Sequence, residues 1–129
     1  ALYLRRVTAA APLTLGLLGE RIAARWLIQR GWSLIDHHFR VRRGEIDLIV
    51  RRASLVAFVE VKTRSRVDFG LPIECVPELK QRRILHSATM WISRFGAVGD
   101  LYRFDVIGVT VCGKDSSITY VENAFCGKA

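Results

Sequence analysis

The sequence predicts an α/β fold in which a mixed β-sheet is flanked by helices. Two segments, residues 15–30 and 78–95, carry apolar residues at helical spacing and end at glycines. Further runs are rich in Val, Ile, Leu and Phe and are separated by short polar segments, which is typical of strands. In chain order the elements read α-β-β-β-α-β-β. Packing the helices on the sheet buries the apolar faces of both.

The first helix begins after Thr14, a residue type that caps helix N-termini, and ends before Gly31. At about 100° per residue, one arc of this helix is apolar and has Glu20 in its middle. A carboxylate at the centre of a core-facing stripe is costly unless it has a partner. Glu20 is therefore predicted either to reach a metal cluster or to form a buried salt bridge with an arginine.

The next strand, Trp32 to Val41, is the least regular, because polar residues interrupt its apolar ones. Its adjacent histidines, His37 and His38, would point to opposite faces of a strand. We predict surface or core-edge positions for both, with contact to nucleic acid as the alternative. A basic turn follows and closes at Gly44. It is predicted either to grip a phosphate backbone or to be a solvated turn, and its arginines are Arg40, Arg42 and Arg43.

Two neighbouring strands, Glu45 to Val50 and Leu55 to Val61, carry charges within apolar runs, where charges are costly. A polar hairpin segment joins them, so they are predicted to be antiparallel. Period-two alternation puts Asp47 on one face of the first strand, and Glu60 and Lys62 on one face of the second. If these faces coincide, the two carboxylates repel unless a cation such as Mg²⁺ lies between them. The pattern then predicts a metal-dependent hydrolytic site that Lys62 completes.

After these strands, residues 63–72 are polar and basic and contain Gly and Pro, which predicts a loop. Arg64 and Arg66 lie in this segment, directly after the strand that carries Glu60. We therefore place both arginines near any phosphate that the site binds.

The second helix is predicted over residues 78–95, with Pro77 in its first turn and Lys80 on its exposed basic side. Strands are predicted over residues 101–111 and 118–125, with a turn between them. Asp105 in the first of these is predicted to pair with Arg103 or a neighbouring arginine rather than to bind a metal.

Asp47 followed by Glu60-Val61-Lys62 resembles the PD-(D/E)xK nuclease motif, with Ile46 in the place of the usual proline. Longer strings are similar to the bacterial YraN family, whose members resemble archaeal Holliday-junction resolvases in their core. In chain order these strings are GEIDLIV, FVEVKTR, FGLPIECV, RFDVIGV and NAF. The resemblance covers roughly residues 14 to 126. It implies a restriction-endonuclease-like αβββαβ core, a mixed β-sheet flanked by helices.

The same resemblance implies an endonuclease that hydrolyses phosphodiester bonds in nucleic acid, with branched or junction DNA as the expected substrate. In resolvase-like relatives a glutamate on the first helix joins the strand carboxylates. The catalytic residues implied are Asp47, Glu60, Lys62 and Glu20. The metal ligands implied are Asp47, Glu60, Glu20 and the carbonyl of Val61, with Mg²⁺ as the cofactor and Mn²⁺ as a substitute. The predicted nucleic-acid contacts are Arg40, Arg42, Arg43, Arg64, Arg66 and Lys80, of which Lys80 matches a family position.

Length, charge and cysteine content set the remaining expectations. The 129 residues fit a single domain, predicted over residues 13–129 behind an N-terminal arm of residues 1–12. The net charge of +8, with sixteen arginines against four lysines, favours a polyanionic partner because guanidinium groups match phosphate oxygens. Three cysteines without a C-x-x-C pair predict free thiols and a cytoplasmic location. No membrane association is expected, because a span needs about 20 apolar residues.

Two other function classes stay open at this point. A nucleic-acid-binding module would keep the fold without the chemistry, although the complete set of Asp47, Glu60 and Lys62 favours an enzyme. A small adaptor with a protein partner would need exposed aromatic residues, for which Tyr3 is the main hint. Because a four-way junction has two-fold symmetry, a resolvase activity would also imply a homodimer.

Overall fold

The computed structural model describes residues 14–65 and 76–125, which form a five-stranded β-sheet with a helix against each face. The helices are α1 (Leu15–Gln29) and α2 (Glu78–Phe95). The strands are β1 (Ser33–Val41), β2 (Gly44–Arg52), β3 (Leu55–Ser65), β4 (Leu101–Cys112) and β5 (Asp115–Val121). The predicted α/β class and the predicted order of elements are confirmed.

The sheet is mixed, and the strands lie in space in the order in which they occur along the chain. The pairs β1–β2, β2–β3 and β4–β5 are antiparallel and are joined by short turns. β3 and β4 are parallel, and α2 lies in the connection between them. Parallel neighbours require such a crossover. This architecture is consistent with a restriction-endonuclease-like core.

Two apolar cores, one on each face of the sheet, fix the positions of the helices. Leu48 and Val59 belong to the core under α1, whereas Ile49 and Phe58 belong to the core under α2. Adjacent residues of a strand therefore alternate between cores, as the period of two predicts. The same alternation places Glu60, two residues after Phe58, on the α2 face.

Both helices begin where the sequence predicts. The Thr14 hydroxyl oxygen accepts a 3.2 Å hydrogen bond from the backbone N–H of Leu17, which caps α1. Gly31 follows α1 with a left-handed φ of 92°. Pro77 is the N-cap residue of α2 rather than a residue of its first turn.

The prediction of a loop from Thr63 onward is wrong for residues 63–65. Thr63 to Ser65 continue β3 and pair with Val109 to Val111 of β4. Polar residues are tolerated in this strand because the parallel neighbour satisfies their backbone groups.

The last strand also differs from its predicted bounds of 118–125. Because Cys112 pairs with Asp115, the β4–β5 turn is short and contains Gly113 at a φ of 60°. β5 therefore starts at Asp115, earlier than predicted. It ends at Val121, and Asn123 has a left-handed φ of 51° that does not continue a strand.

Several predicted features lie outside the described residues, namely the arm of residues 1–12, most of the 63–72 segment with Arg66, and two of the cysteines. Within the described part of the chain, no helix combines the length and the apolar character needed to cross a membrane.

Candidate active site

The carboxylates of Asp47 on β2 and Glu60 on β3 are in hydrogen-bonding contact. The backbone N–H of Val61 donates a 2.8 Å hydrogen bond to Asp47 Oδ2, which fixes the orientation of this side chain. Glu60 is buried, with a relative exposure of 6%. The structure therefore brings together the two strand carboxylates that the alternation pattern predicts to converge.

Burial raises the pKa of the Asp47 carboxyl, and the hydrogen bond and the charge of Glu60 raise it further, to about 9. The Val61 N–H opposes this rise in the pKa, and the charge of Glu20 adds to it. Two carboxylates in contact cannot both be ionised without a compensating positive charge. With its pKa raised to about 9, Asp47 therefore holds a proton at neutral pH.

Lys80 on α2 supplies positive charge to this pair, because its ammonium group forms an ion pair with Glu60 Oε2. The same oxygen is buried. Burial alone would lower the pKa of Lys80, but the hydrogen-bonding contact and the charge of Glu60 outweigh it and raise this pKa. Lys80, which the sequence assigns to DNA contact, thus lies within the carboxylate site.

Glu20 reaches the same region from α1, and its carboxylate contacts His38 Nε2 on β1. Both side chains are largely buried, with exposures of 15% for Glu20 and 24% for His38. The strand partners of His37 and Phe39 are Leu48 and Ile46, so His38 lies across from Asp47. The described partner of Glu20 is thus a histidine, whereas the sequence suggests an arginine or a metal.

His38 is the residue that sequence reasoning leaves out of the site. A register shift between Leu34 and Asp36 displaces the second half of β1 by one position. His38 itself has a left-handed φ of 46°, which is uncommon for a residue other than glycine. This irregular backbone directs a side chain predicted to lie at the surface or core edge toward Glu20.

Gly19 allows α1 to approach β3 closely enough for Glu20 to reach this region. A Cβ atom at Gly19 would lie 1.7 Å from Thr63 Oγ1 and 2.6 Å from Thr63 Cβ. No real Cβ atom tolerates such distances, so a larger residue would move the helix away from the strand. Thr63 directly follows Lys62, and the contact therefore couples the helix to the strand that carries Glu60.

We expect Gly19→Ala to destabilise the fold by about 1–3 kcal/mol, because overpacking at a fixed contact forces backbone shifts. Displacing α1 should also move Glu20 and lower any metal-dependent activity. Gly16→Ala is the matched control on the same helix, since nothing lies within 4 Å of its added Cβ. The control should be neutral or stabilising by about 0.5–1 kcal/mol. Thermal unfolding measures both, and equal stabilities would contradict the close contact.

Lys62 and Arg64 follow Glu60 at intervals of two along β3, so all three residues share one face of the strand. The side chains of Lys62 and Arg64 are partly buried. The structure thus keeps Lys62 on the carboxylate face, as predicted.

The arginines of the basic turn between β1 and β2 have two different environments. Arg40 Nε donates a 3.1 Å hydrogen bond to Glu45 across the hairpin, and both groups are exposed. Arg42 and Arg43 instead line a cavity of about 610 Å³ together with Arg83 of α2. Arg83 is not among the residues predicted to contact nucleic acid. Its spacing of three residues from Lys80 is the signal that could have placed it beside the site.

Asp105 is fully buried and structural, as predicted. Arg103 donates bonds of 2.8 and 2.9 Å to its two carboxylate oxygens, and the N–H of Asn123 donates a 2.9 Å bond. The Tyr120 hydroxyl donates a further bond. Burial and the neighbouring carboxylate raise the pKa of Tyr120. All oxygens of Asp105 are thus occupied by protein donors.

Among residues 14–65 and 76–125, no three His, Cys, Asp or Glu side chains form a group arranged to hold a metal ion. The donors that do meet are the Asp47 and Glu60 carboxylates, with the backbone of Val61 beside them. Mg²⁺ takes oxygen ligands, commonly from one or two carboxylates, and keeps several waters. The donor chemistry and the raised pKa of Asp47 fit such a cation, whereas Glu20 faces His38 beside the pair.

A model of Uncharacterised protein family UPF0102 matches residues 19–109 of the chain. A UPF0102 protein of Alkaliphilus metalliredigens is 43% identical over 112 residues, which cover 87% of this chain and 97% of the relative. A UPF0102 protein of Geobacter sulfurreducens is 40% identical over 86% of this chain and 88% of its own length. One from Myxococcus xanthus is 35% identical over 95% of this chain and 97% of its own length. The matched segment includes every residue named in the carboxylate site, from Glu20 to Lys80.

Proposed function

The chain belongs to the UPF0102 family, and we propose that it is a Mg²⁺-dependent endonuclease that hydrolyses phosphodiester bonds in DNA of branched or junction structure. The observation that carries the proposal is the contact between the Asp47 carboxyl group and the buried carboxylate of Glu60. A group that only stabilised the fold would not be expected to have a pKa raised from 3.8 to about 9, because such a pKa lowers folding stability at neutral pH. The PD-(D/E)xK pattern and the resemblance to Holliday-junction resolvases support the substrate class.

In this proposal Asp47 and Glu60 would hold Mg²⁺, the Val61 carbonyl and Glu20 would be further oxygen ligands, and Mn²⁺ would be an acceptable substitute. The bound ion would polarise a phosphoryl oxygen and lower the pKa of a water. The Val61 N–H holds Asp47 Oδ2 in place. His38 holds the Glu20 carboxylate.

Lys62 and Lys80 take different parts in the proposed reaction. Lys62, on the same strand face as Glu60, would orient or deprotonate the attacking water and stabilise negative charge on the phosphoryl oxygens. Lys80 neutralises Glu60 in this structure. Lys80 would also be available to contact a phosphate of the substrate near this site.

Incubation with a panel of branched, duplex and single-stranded DNAs and RNAs, in Mg²⁺, Mn²⁺ or EDTA, tests the proposal. The expected result is cleavage of branched DNA with either metal and none with EDTA. A protein that cleaves no panel substrate and whose Tm does not respond to either metal would overturn it. Light scattering on the junction complex tests the accompanying expectation of a homodimer, because two symmetric cuts need two sites.

A second candidate is a nucleic-acid-binding module without catalysis. The observation that favours it is the ion pair between Lys80 and Glu60, which gives the carboxylate a partner without any metal. This candidate requires binding that is the same in Mg²⁺ and in EDTA. It also requires a Tm that does not change with metal, which separates it from the nuclease.

Binding to DNA should weaken steeply as salt increases, because the chain has a net charge of +8 and counterions are released from the phosphates. Replacing Arg64 and Arg66 together by alanine should reduce the slope of log Kd against log salt by about one to two. Fluorescence anisotropy in EDTA measures this slope without cleavage. An unchanged slope in the double variant would place the contact surface elsewhere.

A further inference from the structure

A cavity of about 610 Å³ lies between the β1–β2 turn and α2, and its walls are Arg42, Arg43, Gly44 and Arg83. The three arginines are exposed, and no carboxylate of the described residues forms an ion pair with them. Guanidinium groups stay charged at any physiological pH. The cavity therefore concentrates positive charge that the described protein does not neutralise.

The cavity is built by a close contact between two elements. A Cβ atom at Gly44 would lie 2.3 Å from Ser87 Oγ and 2.7 Å from the carbonyl oxygen of Arg83. The turn thus rests on the backbone of α2, and only glycine permits this approach. Ser87 donates a 2.9 Å hydrogen bond to the same carbonyl and is fully buried. This backbone contact keeps the turn that carries Arg42 and Arg43 beside Arg83, although the three charges repel one another.

The cavity adjoins the carboxylate site along α2. Lys80, which contacts Glu60, and Arg83 are three residues apart and so lie on the same side of the helix. Cβ atoms at this spacing are about 5–6 Å apart in an α-helix. A second cavity of about 370 Å³ shares Arg43 and Arg83 and adds the exposed side chain of Leu79. Lys80, which contacts the carboxylate site, and Arg83, which lines the cavity, are therefore neighbours along α2.

We infer that Arg42, Arg43 and Arg83 form a phosphate-binding pocket that holds a backbone phosphate of a nucleic-acid strand beside the carboxylate site. Forked guanidinium groups bind phosphate oxygens in pairs, which gives orientation as well as affinity. The pocket is open and its arginines are exposed, which suits a polymer that passes through it, whereas small-molecule sites enclose most of their ligand. The inference deepens the proposed function and rests on its nucleic-acid substrate.

The pocket assigns phosphate binding to Arg83, which is not part of the hairpin. It also excludes Arg40, which is not among the residues that line the cavity. Arg40 already pairs with Glu45. Its removal should therefore weaken binding less than removal of Arg83. The pocket would also fix where along the strand the carboxylates act, because one bound phosphate sets the position of its neighbours.

The test is DNA binding in EDTA, measured by anisotropy over a range of salt for three proteins. These are the wild type, the pocket variant Arg42→Ala/Arg43→Ala/Arg83→Ala, and a control variant Arg25→Ala/Arg52→Ala/Lys114→Ala with the same change in net charge. We expect the pocket variant to lose about 100-fold in affinity and about two to three units of salt slope, whereas the control loses under about tenfold. Equal losses in the two variants would overturn the inference, because net charge alone would then explain binding.

Two further measurements distinguish paired phosphate contacts in the pocket from simple charge attraction and from binding of free phosphate. Arg83→Lys keeps the charge and loses the fork, and we expect it to weaken binding by about 5–10-fold, whereas full retention would contradict paired phosphate contacts. Inorganic phosphate at millimolar concentration should not displace DNA, because the pocket is expected to bind a polymer. Displacement would mean that the pocket binds free phosphate instead. Since all binding is measured without metal, an inactive nuclease would leave this result interpretable.

Discussion

Asp47→Asn is expected to lower the rate of metal-dependent cleavage by about 1,000-fold, which corresponds to about 4 kcal/mol of activation free energy. The substitution removes the charge that would hold Mg²⁺ and leaves the shape of the side chain almost unchanged. The amide oxygen can still accept the hydrogen bond that Val61 N–H gives to Asp47. Glu60→Gln should have an effect of the same order, because the two carboxylates would share one ion.

The same substitution is expected to preserve or raise folding stability in EDTA. The pKa of Asp47 in the folded protein is raised from 3.8 to about 9, so the folded state favours the protonated form. Stability from this group is present at low pH and is lost as the pH rises toward about 9. The asparagine side chain that replaces it cannot ionise, so the Tm of Asp47→Asn should rise relative to wild type as the pH increases through this range.

Asp115→Asn is the matched control, because Asp115 is an exposed aspartate at the start of β5. We expect it to change neither cleavage nor the pH dependence of the Tm. If Asp47→Asn instead lowers the Tm at every pH while Mg²⁺ leaves the wild-type Tm unchanged, Asp47 serves the fold. DNA binding in EDTA should be retained or improved in Asp47→Asn, since negative charge near the phosphates has gone.

Much of the fold follows from local signals that the structure confirms. The helix limits follow from Thr14, Gly31 and Pro77, and the antiparallel β2–β3 pair follows from two apolar runs around a polar hairpin. The approach of Asp47 to Glu60 also follows from period-two alternation, because both strands are regular at these positions. In such segments the position of one side chain determines that of the next.

The remaining features depend on contacts between distant parts of the chain. His38 meets Glu20 because a register shift and a left-handed residue break the alternation of β1. Lys80 contacts Glu60 because of the position at which α2 packs on its face of the sheet. Neither the bulge nor the helix position has a local signature, so the sequence favours a surface role for these residues. The polar end of β3 has the composition of a loop. It forms a strand because it pairs with β4, which lies far along the chain.

Asp105→Asn is expected to destabilise the protein by about 3–5 kcal/mol, because it leaves the largely buried Arg103 guanidinium without its main counter-charge. The hydrogen bonds and the charge of Asp105 raise the pKa of Arg103, so this cation cannot lose its proton to escape the penalty. Glu122 is 3.7 Å from Arg103 but 58% exposed, and an exposed partner compensates little. At about 4 °C per kcal/mol, the Tm should fall by about 12–20 °C.

The surface pair between Glu78 and Arg82 provides the control, since both side chains are more than two thirds exposed. Glu78→Gln should change the free energy of unfolding by under about 0.5 kcal/mol. The double variant Arg103→Met/Asp105→Leu should be more stable than Asp105→Asn alone, because it removes the unpaired charge along with its partner. Chemical denaturation of these variants separates the cost of a stranded cation from that of lost packing.

Cleavage by the folded fraction of Asp105→Asn should stay within about twofold of wild type at a temperature well below its Tm. The oxygens of Asp105 are occupied by Arg103, Tyr120 and the backbone of Asn123, and this leaves none for a metal or a phosphate. The two variants should therefore show opposite patterns. Asp47→Asn should lower the cleavage rate and keep stability, whereas Asp105→Asn should lower stability and keep the cleavage rate. If Asp105→Asn abolishes cleavage at full stability, the carboxylate on β4 belongs to the active site, and its pairing with Arg103 would have to open during the reaction.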